Sequence, residues 1–370
     1  MNGDAAPTRW LPRRWRAALA VVALLGTQCA FAEPYLAAQQ GYRCVQCHVN
    51  PTGGGLRNDF GTIFTKTLLA ARVYPEGAPN WTGKVFGGLR VGGDVRASWQ
   101  ESQVPHQPTA TRDGVDQARV YADLELFGGK VAAYVDEQLA PGDAQRQELY
   151  LRAGDPASGW YLKGGQFYLP FGWRLQDNTS FVRGVSGISM TTPDQGVELG
   201  FERAQWSAQF DVSKAGIDSG GRLGDRLGVQ FVWVEGRWRL GGGASRVNAD
   251  AGDRTMAAVF GSWRTGQFTW LGEADLIHDA SFRPAARSLA ALLGEVNWAF
   301  RRGHNLKLTG EYYDPDRAVA NDAQARWSLL YEYTPFPFVQ LRAGWRRYEG
   351  IAQSDFQNRR LGFVELHAFF

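Results

Sequence analysis

Residues 119–127 read RVYADLELF. Successive side chains of an extended strand point to opposite sides. Val120, Ala122, Leu124 and Leu126 therefore share one face, and Arg119, Tyr121, Asp123 and Glu125 share the other. The pattern recurs. Gln205–Ser213 sets Trp206, Ala208, Phe210 and Val212 against Gln205, Ser207, Gln209 and Asp211. Asn305–Tyr313 and Gln340–Arg346 do the same with Leu306, Leu308 and Tyr312, and with Leu341, Ala343 and Trp345. Period two with one apolar face predicts strands with one side in an oily medium. A soluble sandwich would alternate in the same way, so alternation alone does not decide.

Length and punctuation separate the two. From Lys84 to Phe370 the chain offers sixteen segments of about 9 to 14 residues, near what a tilted strand needs to cross a bilayer. The first starts near Lys84 and the last near Asn358. Their connections alternate. Gly128-Gly129, Arg203-Ala204, Glu235-Gly236, Thr265-Gly266 and Thr334–Pro337 are tight turns. Glu101–Asp116, Leu169–Pro193 and Gly350–Gln357 are long polar loops, expected on the outer side. Short turns at one end and long loops at the other predict an all-β fold, a 16-stranded outer-membrane β-barrel. The final LGFVELHAFF resembles the terminal strand read by the outer-membrane assembly machinery.

Composition agrees with a barrel. The chain carries 45 Gly, 14 Trp, 13 Tyr and 21 Phe, and after the N-terminus no apolar run is long enough for a membrane helix. A net charge of only +3 gives no case for a nucleic-acid partner. The inward face is mixed in sign, including Asp123, Glu148, Glu198, Glu273, Glu311, Arg326, Glu332, Arg342 and Arg346. That set reads as cross-strand ion pairing, with a carboxylate-lined cation path as the alternative.

Met1–Ala32 reads as a signal peptide. It has a basic region at Arg13, Arg14 and Arg16, a short apolar run from Ala17 to Gly26, and a small-x-small site at Ala30-Phe31-Ala32. Residues 33–80 then form a small N-terminal domain, with a helix expected over Leu56–Arg72. Residues 81–370 form the barrel, and Pro75–Pro79 serves as a linker. Counting Pro75 to Gly83, that linker reaches roughly 30 Å at full extension. It ties the small domain to the periplasmic mouth of the barrel or lets it enter as a plug.

The small domain contains YRCVQCHVNPTGGG, residues 42–55. Cys44, Cys47 and His48 have the Cys-x-x-Cys-His spacing of covalent haem c attachment. Each thiol can form a thioether with one vinyl group, and His48 can be the proximal iron ligand. A zinc site would need a further Cys or His pair nearby, and a redox dithiol would sit in a βαβ context. Neither is present in the sequence. Gly53-Gly54-Gly55 reads either as a loop packed against a porphyrin or as a flexible break. The domain has one His and no Met, so a second iron ligand must come from the barrel. His367, placed on the lumenal face of the last strand near the periplasmic mouth, is the leading candidate. Its alternative role is pairing with Glu365 or a neighbour. Met256 is expected high in the lumen, His304 in a turn, and Met190, His106 and His278 on the outer side.

The haem motif just after a signal peptide and ahead of a single-chain barrel resembles the fused monohaem cytochrome c–porin family of outer-membrane iron oxidases. Gln40, Gly41, Cys44, Cys47, His48, Pro51, Gly61 and Phe64 carry the resemblance. It implies electron transfer across the outer membrane between an extracellular donor or acceptor, with iron leading, and a periplasmic carrier such as a soluble cytochrome. A transport porin with a haem-bearing plug, or the barrel partner of a separate multihaem cytochrome, are the alternatives.

Overall fold

The computed structural model describes residues 33–73, 81–155, 157–217 and 220–370. The expected signal peptide Met1–Ala32 and linker Pro75–Pro79 lie outside them. Sixteen antiparallel strands, from Leu89–Gln103 to Arg360–Phe369, each pair with their chain neighbours. The last closes on the first, with Phe369 opposite Asp94 and Arg360 opposite Gln103. Closure leaves no free sheet edge, which is what an oily surrounding demands of backbone N–H and C=O groups.

The alternation reads out as expected. On the strand Ala110–Leu126, Val120, Leu124 and Leu126 are exposed on the outside, while Arg119, Tyr121 and Asp123 are buried inside. On the last strand Val364 and Leu366 face out and His367 faces in. Aromatic side chains gather on the outer face beside the short turns. Trp238 stacks on Trp263 with ring centres 5.2 Å apart, Phe268 on Trp298 at 5.7 Å, and Trp206 on Phe231 at 6.0 Å. Such a girdle marks where a barrel meets the water interface.

Three local expectations are corrected. The strand expected from Lys84 breaks after three residues, and Lys84–Phe86 folds back on the strand Leu89–Gln103. Gly87 takes φ +48°, and Gly88 lies so close to the Glu125 carbonyl that no side chain fits. The loop expected over Glu101–Asp116 is shorter. The ladder continues through Glu101 opposite Thr111 and Ser102 opposite Ala110. Both faces are polar there, so the alternation fades while the backbone pairing persists.

The third correction matters most. Leu169–Pro193 does not stand outside the barrel but folds into it, with a short helix at Phe181–Ser186. Phe167, Leu169, Phe171, Trp173 and Val182 are all at most 4% exposed. Arg183 pairs with Glu273, and Arg326 reaches the Thr179 carbonyl at 3.1 Å. The Glu311 carboxylate accepts from the Phe181 N–H at 2.7 Å and the Ser180 hydroxyl at 3.0 Å.

The N-terminal segment enters from the short-turn end. It comprises a helix at Pro34–Gln40, a 3-10 turn at Cys44–Gln46 and a helix at Asp59–Phe64, extended by a wider turn over Thr65–Leu69. The helix expected from Leu56 starts later because the Asn58 side chain caps it, accepting from the Gly61 N–H at 3.0 Å. The Ala71 N–H bonds the Thr334 carbonyl at 2.9 Å, which fixes the segment to the turn rim. Its other contacts reach lumenal side chains around the wall: Lys307 Nζ to Glu33 at 3.0 Å, Arg43 to Glu202 at 2.8 Å, and Asn50 to Glu148 at 3.2 Å.

An inward-folded loop resists proteases in the folded protein. Trypsin is expected to cut at exposed Arg222 and Arg317 and to spare Arg174 and Arg183, with cleavage sites read by mass spectrometry. Early cleavage at Arg183 would place the loop outside the lumen.

Candidate functional site

The Cys-x-x-Cys-His run folds as one tight turn. The N–H groups of Cys47 and His48 both donate to the Cys44 carbonyl at 3.1 Å. The Arg43 N–H is capped by the Gln46 side chain at 2.7 Å. Asn58 clamps the turn from behind. Its N–H donates to the Cys47 carbonyl at 3.1 Å and its side-chain amide to the Val45 carbonyl at 3.0 Å. The following helix packs flush on this turn at Gly61, where a Cβ would collide with the Cys47 carbonyl oxygen. The structure thus gives a packing reason for glycine at a position that carries the family resemblance.

Gly53, Gly54 and Gly55 all have positive φ, at +88°, +79° and +61°. This is an ordered crossing rather than a loose break. A Cβ at Gly53 would sit 3.0 Å from the Cys44 Cβ, and one at Gly54 would sit 2.8 Å from the Met190 Cε. A Cβ at Gly55 would strike the Tyr134 hydroxyl. Glycine is required here both by conformation and by close approach.

These pieces wall one cavity of about 1270 Å³, measured with its open mouth. Cys44, Cys47 and His48 line one side, Phe171 and Met190 of the inward loop another, and Phe260 of the barrel a third. Most of the exposed wall is apolar, but charged side chains also line it, among them Arg43, Arg57, Arg174, Glu202 and Arg239. Among the described residues, no group of three or more His, Cys, Asp or Glu side chains is arranged to hold a bare metal ion.

The donor chemistry is specific. Cys44 and Cys47 are free thiols, and burial pushes the Cys47 thiol up, so it stays protonated. His48 is 4% exposed and its Nδ1 has no hydrogen-bond partner. Burial, with the Arg57 charge beside it, lowers its pKa to about 3. The imidazole is therefore neutral and keeps a lone pair for a metal. Arg57 is 3% exposed, and its Nε and Nη2 also lack partners. An unpaired buried guanidinium is costly, and it lines this same cavity, where an anionic group could bond it. Free thiols, a neutral imidazole and a buried cation in an apolar cleft suit a c-type haem with its propionates.

His367 lies elsewhere. It is fully buried, with Nε2 2.6 Å from the Asp94 carboxylate across the closing seam of the barrel. It does not line the cavity that holds Cys44, Cys47 and His48. Met256 is buried in a cluster with Ile277 and Leu289 and does not line it either. His304 stacks on Tyr333 at the turn rim, 4.4 Å between ring centres. His278 faces Ser288, and His106 faces Asp355. Met190, expected on the outer side, instead lines the cavity, and Arg57 was not singled out in the sequence. The signal for Met190 was the length of its loop, since loops beyond about 12–15 residues are commonly functional. Arg57 carried no local signal.

The loop that brings Met190 in is held by charge. Burial acts to raise the Asp177 pKa, but Arg326 at 2.9 Å and Arg346 at 2.8 Å outweigh it and hold the carboxyl well below the usual range. A group depressed in this way stabilises fully above its unfolded value of about 3.9 and loses that contribution as pH falls through the folded value.

No protein-family model and no curated protein matches the chain. Solved structures do match. OmpT of Vibrio cholerae, folded in vitro, superposes with TM-score 0.60 at 13% identity, over 77% of this chain and 100% of that one. The anion-selective porin of Comamonas acidovorans gives 0.60 at 12%, over 76% and 99%. The outer-membrane channel DcaP of Acinetobacter baumannii gives 0.58 at 14%, over 76% and 97%. The chain thus has the closed 16-stranded fold of outer-membrane porins.

Two outcomes are expected. Gly61→Ala loosens the turn against its helix, at a cost of about 1–3 kcal/mol for overpacking. Protease would then nick the 42–64 segment, and wild-type resistance would contradict the packing. Hydrogen-exchange protection factors in residues 174–190, corrected for the intrinsic pH dependence of amide exchange, stay constant from neutral to about pH 5 and fall below about pH 4. In Asp177→Asn the protection is lower at neutral pH and falls less on acidification.

Proposed function

We propose that this chain is an outer-membrane cytochrome–porin that carries one covalent haem c inside its barrel and passes electrons across the outer membrane. Extracellular Fe(II) is the leading donor and a soluble periplasmic cytochrome the leading acceptor. The observation that carries the reading is the position of the Cys-x-x-Cys-His turn. It faces an apolar cavity within the lumen of a porin-fold barrel. The outward apolar face and the aromatic girdle support placement in lipid.

When bound, the haem supplies a single one-electron redox centre. The chain's residues supply the rest. Cys44 and Cys47 would each hold the haem through one thioether, and His48 would offer it a neutral nitrogen. Arg57 offers its unpartnered N–H groups to a propionate. Phe171 and Phe260 keep water from the cavity wall. Oxidation of each Fe(II) to Fe(III) releases one electron, which the periplasmic carrier takes up.

A transport porin is the second reading, and the likeness to channel proteins favours it. The filled lumen weighs against it. Lys163, Glu198, Glu148, Arg326 and His367 all line the interior, yet each is at most 1% exposed. Two insertions occupy the space that a solute would cross.

The test is made on the purified, folded protein. A haem stain should survive denaturing electrophoresis and vanish in the Cys44→Ala/Cys47→Ala double variant. The oxidised protein should be reduced by Fe(II) and reoxidised by a soluble cytochrome. Absence of covalent haem in the wild type, with solute flux through reconstituted barrels, would establish the transport reading instead.

A further inference from the structure

The inward loop ends its course at Met190, and that residue is held unusually well for a loop. Its carbonyl accepts from Arg119 Nη2 at 2.7 Å, and its N–H donates to the Asn178 side chain at 3.2 Å. Arg119 is itself fixed by Asp136 at 3.3 Å and the Tyr168 hydroxyl at 2.9 Å. The next turn is closed by the Ser189 N–H on the Thr192 hydroxyl at 2.8 Å. The Met190 side chain is 8% exposed and presses on Gly54, which has no Cβ to oppose it.

That contact joins the two insertions. Arg174 of the same loop also donates to the Gly53 carbonyl at 2.9 Å. Met190 and His48 therefore line one cavity from opposite insertions. Of the histidines and methionines among the described residues, these two line it. His367 is bonded to Asp94, and Met256 is packed behind the wall, in a cluster with Phe171 and Ile188, and does not itself line the cavity.

We propose that the Met190 thioether is the second axial ligand of the haem iron, opposite His48. The inference rests on the reading that Cys44 and Cys47 hold haem c. A thioether is a soft neutral donor, and His/Met ligation raises a haem potential. The ligand belongs to the loop, so its position depends on how firmly the loop is anchored to the barrel wall. The barrel thereby sets the potential of a group attached to a different part of the chain.

The experiment uses the purified full chain in four forms: wild type, Met190→Leu, Met190→His and His367→Ala. Met190→Leu keeps the packing volume. It should retain the covalent haem stain, lose the methionine-to-iron charge-transfer band, and turn almost wholly from low-spin to high-spin by paramagnetic resonance. Met190→His should return to low spin with a lower midpoint potential than the wild type. His367→Ala should match the wild type. A Met190→Leu spectrum and potential equal to wild type would overturn the inference while leaving haem attachment intact, as would conversion to high spin in His367→Ala. A wild type without covalent haem would overturn both readings, and the stain alone separates that failure from the others.

Discussion

A sixteen-stranded barrel encloses a lumen lined by charge, and a buried charge must be paired. The strands supply both carboxylates and guanidinium groups to the lumen, and some pair between strands, as Lys163 does with Glu198 and Arg342 with Glu365, both at 2.9 Å. The chain's own two insertions add further partners. Glu33 from the N-terminal segment sits between Lys307 and Arg342. Asn50 bonds Glu148, and Arg43 bonds Glu202. From the loop, Arg183 meets Glu273 and Asp177 meets Arg326. Breaking a buried pair of this kind typically costs about 3–5 kcal/mol, because the remaining charge is left uncompensated.

The consequence is a filled barrel with a defined internal site. The N-terminal segment arrives from the short-turn end and the loop from the other, and they meet where Gly53 and Gly54 touch Arg174 and Met190. Neither insertion builds the cavity alone. One brings two thiols and an imidazole, the other a thioether and aromatic walls, and the barrel closes the sides. On the proposed reading, a haem held there would sit within the membrane layer. The ion pairing expected for the lumen is present at several of its carboxylates. Glu311 is taken by Arg326 at 2.8 Å and Glu198 by Lys163 at 2.9 Å.

The barrel was legible because its signals are local. Alternation, turn residues and strand length lie within some ten residues, and the expected strand starts follow the observed ones closely from Asp194 to Val339. The Cys-x-x-Cys-His run is local in the same way, and the structure folds it as one tight turn. The inward direction of Leu169–Pro193 was not read from its length, although Leu169, Phe171, Trp173, Leu175, Phe181, Val182 and Ile188 give it more large apolar side chains than a loop in water needs. Its partners settle the matter, and they lie far along the chain: Glu273 is 90 residues from Arg183, and Thr179 is 147 from Arg326. His367 shows the same limit. Its inward face could be read from the pattern, but its partner Asp94 is 273 residues away, across the seam that closes the barrel. Without that partner, a lumenal histidine near a haem motif looks like a ligand.

The central claim is that one iron sits inside the barrel, at the junction of the two insertions. An anomalous difference map collected at the iron edge from crystals of the purified protein tests this directly. The account predicts a single peak in the cavity between His48 and Met190. A peak outside the lumen, a peak beside His367, or no peak in protein that stains for haem would contradict it.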